Sequence, residues 1–247
     1  MKRLFTTFVF VLTTLLIVHA EDLQKYFRDT QDLVRAGQYQ EAAERYLWFH
    51  NHVLEHEPSM YGMRLTSALM YWKELGDVYP PALASIRKIR DEKTDILVQK
   101  SGNHHLFHDV AALNNTLEED TKTIELFRIL DKEQPDLAKQ CWRAAKDAVI
   151  TGKAYDLVRK YIGSPVRELD MLKKIYEAHK AKYDDESKAY GEHFKKFNED
   201  KFVRESLKLI ELALALDDTE SAKEIQSKAL AIFEDDRLKD AIPKVKE

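Results

Sequence analysis

Apolar residues spaced at i, i+3, i+4 and i+7 recur over nearly the whole chain, while alternation with a period of two is absent over any useful length. This periodicity excludes most folds, because it supplies one buried stripe per helix and little on which a strand could nucleate. With only 7 Gly and 6 Pro in 247 residues, and 44% hydrophobic against 33% charged side chains, the chain can bury a core and has few breaks in its helices. The fold class is all-α. The clearest unit is Gly37 to Pro58, GQYQEAAERYLWFHNHVLEHEP, in which a Gly-x-Tyr turn opens a helix, Ala42 and Tyr46 share a face, and a proline stops it.

Partial copies of that unit follow. A first helix over about Asp22 to Ala36 carries Leu23, Tyr26, Phe27, Thr30, Leu33 and Val34 on its inner stripe and stops at Gly37. The helix from Tyr39 to Glu57 folds back on it. A third helix spans Met60 to Leu75 and ends at Gly76, and Pro80-Pro81 opens a fourth, with Ala82 and Ile86 as its small and apolar pair, that runs to about Lys100. Ser101-Gly102-Asn103 is a loop by composition. Beyond it, Phe107, Val110, Ala111 and Asn114 mark one helix and Thr123, Phe127 and Leu130 the next, with Pro135 eight residues after Phe127. A step of 34 residues places Cys141, Ala144, Ala145, Ala148, Leu157 and Tyr161 at the corresponding sites of another pair, with Gly152 as its turn.

The spacing of a small residue, then an aromatic four later, then a proline resembles the second helix of a tetratricopeptide repeat. The resemblance implies an α-α superhelix, a right-handed solenoid of antiparallel helix pairs, over residues 21–164, with a related terminal hairpin and capping tail over 202–247. Two departures stand out. Pro58 comes twelve residues after Tyr46, where the repeat expects about eight. Trp72-x2-Leu75-Gly76-x2-Tyr79 matches the first-helix signature letter for letter, yet Pro80-Pro81 follows at once and reads the match as coincidence. Between the two stretches, Gly163-Ser164-Pro165 breaks the array. Residues 165–201 then form a charged amphipathic segment, one long helix or two, with Tyr176, Tyr183, Tyr190 and Phe197 at intervals of seven and Gly191 as a candidate bend.

The first twenty residues read as a signal peptide: Lys2 and Arg3, an apolar run from Leu4 to Val18, then Val18-His19-Ala20 before Glu21-Asp22. The chain is therefore read as exported, periplasmic or secreted, with an uncleaved signal anchor as the alternative. Removing Lys2 and Arg3 from 39 basic residues leaves 37 against 43 acidic ones, a balance of −6. That charge, without a concentrated basic face, argues against nucleic acid as a partner. Cys141 is the only cysteine, so no internal disulfide is possible, and it reads as a small buried apolar residue.

His52-Val-Leu-Glu55-His56 has the order of the inverted zinc-protease motif, and a zinc-dependent hydrolase built on it is one alternative function. No third ligand in a defined context is visible. His104, His105 and His108 form a second cluster. Asn114-Asn115-Thr116 fits the glycosylation acceptor pattern, but Asn114 falls on a core position. No Gly-rich phosphate loop, Gly-x-Ser-x-Gly elbow or Cys-x2-Cys pair occurs, and neither an enzyme nor a cofactor is expected. The tetratricopeptide resemblance implies instead a protein or peptide partner on a concave face lined by first helices. Its outward positions would be His105, His108, Asn115, Lys139, Trp142 and Lys146. Lysines and an asparagine beside an aromatic suit an extended peptide with a carboxylate, whereas Trp142 as plain core is the other reading. The function expected is a non-enzymatic scaffold or adaptor, and a self-associating structural envelope protein is the remaining alternative.

Overall fold

The computed structural model describes residues 20–183 and 191–242, so the stretch up to His19 that reads as a signal peptide and the Tyr190 position lie outside the described residues, as does the side chain of Tyr183. Among the described residues there are 13 α-helices and no strand. The chain divides into two compact units, Met1–Glu119 and Asp120–Glu247, with the division inside the segment that the sequence pattern reads as the third helix pair.

In the first unit, α1 (Ala20–Arg35) and α2 (Tyr39–His56) form the pair expected around Gly37. A 3₁₀ turn, Pro58–Met60, then leads into α3 (Tyr61–Leu65), α4 (Ser67–Val78), α5 (Pro80–Val98) and α6 (His104–Thr116). Helix α2 packs on α1, α3, α4 and α5, α4 packs on α5, and α5 on α6. Their buried stripes meet in one core that includes Leu23, Phe27, Tyr46, Phe49, Trp72 and Ile86. Phe27 is its aromatic hub, with the Tyr46, Phe49 and Tyr71 rings at 6.0, 5.7 and 5.6 Å.

One expected helix is not continuous. The run from Met60 to Leu75 breaks at Thr66 (φ −124°, ψ −94°), whose hydroxyl donates to the Gly62 carbonyl at 2.8 Å. Gly76 is also not the stop, since α4 passes through it to Val78. A Cβ on Gly76 would lie 3.0 Å from Leu83 Cβ, so the missing side chain lets α4 approach α5. The stop comes at Tyr79 (φ −135°, ψ 86°), because the residue before a proline is excluded from the helical region.

The second unit contains α7 (Asp120–Glu133), α8 (Pro135–Thr151), α9 (Tyr155–Tyr161), α10 (Pro165–Tyr183), α11 (Glu192–Ala215), α12 (Thr219–Ile232) and α13 (Asp236–Lys239). Helix α8 packs on α7 and α9, and α10, α11 and α12 pack on one another. The core of this three-helix group includes Leu169, Tyr176, Phe202, Ile210, Ile225 and Ala229. Short α13 closes it by burying Leu238, whose carbonyl accepts from the Gln226 amide at 2.7 Å. The aromatic seven-residue spacing does not make one face here. Gly191 is the N-cap of a new helix, Tyr176 is buried on α10 against Phe202 at 4.8 Å, and Phe197 on α11 is 56% exposed. Helix α11 also runs unbroken across Lys201 and Phe202, where the composition shifts.

Among the described residues, five helix ends share one closure. After α1, Gly37 (φ 75°) donates to Val34 O at 3.1 Å and Gln38 to Leu33 O at 2.9 Å, the paired bonds of a Schellman motif. The same pattern follows α5, α6, α8 and α11, but there the left-handed residues are Lys100, Glu118, Lys153 and Asp217. Gly152 lies in the turn after α8, as expected, but with an ordinary φ of −78°. It is wanted for space, since a Cβ there would sit 2.3 Å from Ile124 Cδ1.

Candidate functional site

The six residues read as partner-facing fall in two groups, three in each unit. On α6, His105, His108 and Asn115 are exposed. The His105 ring stands edge-on to Tyr61 at 6.0 Å, and the Tyr61 hydroxyl lies 2.8 Å from His108 Nδ1. On α8, the buried stripe is Ala138, Cys141, Ala145, Ala148 and Val149, and the other three residues flank it. Lys139 is exposed and donates to Asp136 at 3.1 Å. Trp142 is half-buried, stacked on Tyr161 at 5.7 Å and tilted toward Phe127 at 5.9 Å. Lys146 Nζ lies 2.7 Å from Glu168 Oε2.

Lys146 and Glu168 stand on the rim of a groove of about 490 Å³ within the second unit, walled by α8, α10 and α11. Its floor is apolar, with Ile150, Ile162, Leu172, Leu209 and Leu212. Met171 and Ile175, one turn apart on α10, line it while 53% and 51% exposed. Arg143, Lys201 and Lys208 complete the basic side of the rim, against Asp147, Glu168 and Glu205. Lys208 is spent on Glu205 at 3.0 Å, whereas Arg143 and Lys201 form no ion pair among the described residues.

The histidine motifs behave as surface and packing groups. His52 Nδ1 lies 3.0 Å from Glu55 Oε1, and the His52 and His56 rings both lie against Trp48, at 5.8 and 5.7 Å. Among the described residues no three His, Cys, Asp or Glu side chains are grouped so as to hold a metal ion. No helix among them is long and apolar enough to cross a membrane. Burial pushes the Cys141 thiol up to about 12, which leaves no thiolate at neutral pH.

The strongest electrostatic feature was not read from the sequence. His50 on α2, Arg64 on α3, Lys93 on α5 and Asp109 on α6 meet in the first unit. Arg64 grips Asp109 bidentately, with Nη1 at 3.0 Å from Oδ2 and Nη2 on Oδ1, and Lys93 donates to the same carboxylate. Arg64 Nη1 also reaches the His50 carbonyl at 3.2 Å and sits 3.5 Å from His50 Nε2. Burial alone would raise the Asp109 carboxyl, but the Arg64 hydrogen bonds and the Lys93 and Arg64 charges outweigh it and hold it below the usual carboxylate range. Burial first, then the Lys93 and Arg64 charges, drive His50 down to about 3 and keep it neutral. The available signal was a carboxylate, Asp109, at a position flanked by the core residues Phe107 and Val110. Asn114 is likewise interior and accepts from Arg90 at 2.8 Å.

Compared with family models, curated proteins and solved structures, the chain matches none of them.

Proposed function

We propose that the protein is an exported, non-enzymatic helical scaffold of tetratricopeptide-like design, and that it holds a partner segment in the groove of its second unit. The observation that carries this reading is the pairing of exposed Met171 and Ile175 with the two uncommitted cations Arg143 and Lys201 on one groove. A soluble surface rarely leaves adjacent large apolar side chains uncovered without a use for them. An apolar floor beneath unpaired cations complements an amphipathic peptide whose apolar side chains enter the groove while its carboxylates meet the rim. Lys146 serves at the same rim through Glu168, and Trp142 stiffens α8 from beside it.

The test is selection of peptides from a random display library on the purified chain, followed by anisotropy titration of the winners. Enriched peptides are expected to combine apolar residues at i and i+4 with Asp or Glu. Arg143→Glu with Lys201→Glu, both exposed or half-exposed positions, should weaken them at least tenfold, and Ile175→Glu should abolish binding. Enrichment without acidic residues, or affinities untouched by these changes, overturns the reading.

A further inference from the structure

The buried cluster of the first unit borders a cavity of about 510 Å³ whose wall is formed by Arg64, Lys93, Asp109 and His50, by Leu54 and Tyr61, and by the loop that starts α6. We propose that this cavity is a binding site for a small organic monocarboxylate with an aromatic or aliphatic body.

Charge comes first. Among the described residues the wall holds two basic side chains, Arg64 and Lys93, against one carboxylate, Asp109, with His50 neutral, so the balance of charge there is positive. The guanidinium and the carboxylate are both nearly sealed from solvent, with 4% and 8% of their side chains accessible. Those two pair with each other, and Lys93, 17% accessible, shares the same carboxylate, so the surplus is one positive charge that a monoanion would match.

The hydrogen-bonding groups point the same way. Arg64 Nε and His50 Nδ1 are buried and have no partner. Arg64 Nε is an N–H donor, which an acceptor satisfies and a cation does not. His50 is 3% exposed and Arg64 4%, and the unpartnered atoms are closed to a water-sized probe, so a ligand would reach them only through a local shift of the cluster.

The loop lines the same cavity. Asn103 caps α6 by accepting from Leu106 N at 3.0 Å, and the α6 start borders the cavity through Asn103, His105 and Leu106. Gly102 closes the loop on the core, since a Cβ there would lie 2.6 Å from Leu97 Cδ2. Leu54, Leu106 and Tyr61 supply apolar wall, which an inorganic anion would leave unused. The volume lies within the range of small-molecule pockets, roughly 300 to 1,000 Å³.

The experiment is isothermal titration of the full chain with benzoate, phenylacetate, hexanoate and isovalerate, each beside its neutral amide, and with inorganic phosphate. At least one carboxylate is expected to bind with one-to-one stoichiometry while its amide does not. Lys93→Gln, half-buried and outside the bidentate pair, should weaken that binding at least tenfold with the helical circular dichroism unchanged. Asn51→Asp provides a second variant at an exposed position in the wall, where repulsion should weaken the same ligand without unfolding the unit. The proposal is overturned if no carboxylate binds, if amides or phosphate bind as tightly, or if affinity survives both substitutions.

Discussion

Arg64 on α3 and Asp109 on α6, 45 positions apart in sequence, form a bidentate ion pair inside the first unit, with Nη1 3.0 Å from Oδ2. Removing Asp109 strands the Arg64 charge, and removing Arg64 leaves the Asp109 carboxylate with Lys93 alone. Arg64→Met and Asp109→Asn are each expected to destabilise the unit by about 3–5 kcal/mol. The double variant should recover about 1–3 kcal/mol of the summed loss, read as a coupling in urea titrations. Additive single effects would show that the pair is not coupled.

His50 predicts an acid limit. Its folded value, about 3, lies below the ordinary 6.5, so between these values the unfolded chain binds the extra proton. The contribution is complete above pH 6.5 and declines as pH falls, by about 1.4 kcal/mol per pH unit in that window. Asp109, also depressed, adds its loss at lower pH, below the usual carboxylate range. In urea midpoints measured from pH 7 to 4, His50→Gln should flatten the slope. An equally steep profile in the variant assigns the titration to other groups.

The helix ends offer a matched pair of substitutions. Gly37 has open space around the position of a Cβ, so Gly37→Ala tests conformation alone and should cost about 1–2 kcal/mol. Lys153 holds φ 56° with a full side chain and is exposed, and Lys153→Gly should raise the thermal midpoint, with a benefit of about 0.5–1 kcal/mol. Opposite signs at the two sites are the expected result.

Cys141 is 1% exposed on α8 with its thiol pushed up to about 12, so a thiol reagent at pH 8 should label it only through opening of the helix. Labelling should be slow in buffer and should accelerate in step with urea unfolding. Rapid labelling in the absence of denaturant would contradict the packing of α8.

Much of the helix content was legible in the residues. Spacing located the pair around Gly37, the start of α5 at Pro80 and the core positions Tyr46, Phe107 and Phe127, because burial follows a local period of 3.6 residues. The break at Thr66 was not legible, nor was the role of Gly76, which depends on Leu83 of the next helix. Tyr176 and Phe197 share an interval but not an environment, since periodicity predicts a common face only while one helix continues.

Sequence by itself determined that this chain is helical and where most helices begin, because capping, proline geometry and apolar spacing act over a few residues. Tertiary structure decided which charges are interior. Arg64 and Lys93 look like ordinary surface residues along the chain, and they join Asp109 in one interior cluster only because α3 and α5 pack on α2 while α6 packs on α3 and α5. The same convergence raises the energy of each unpaired charge far above its value in water, and no local pattern carries that information.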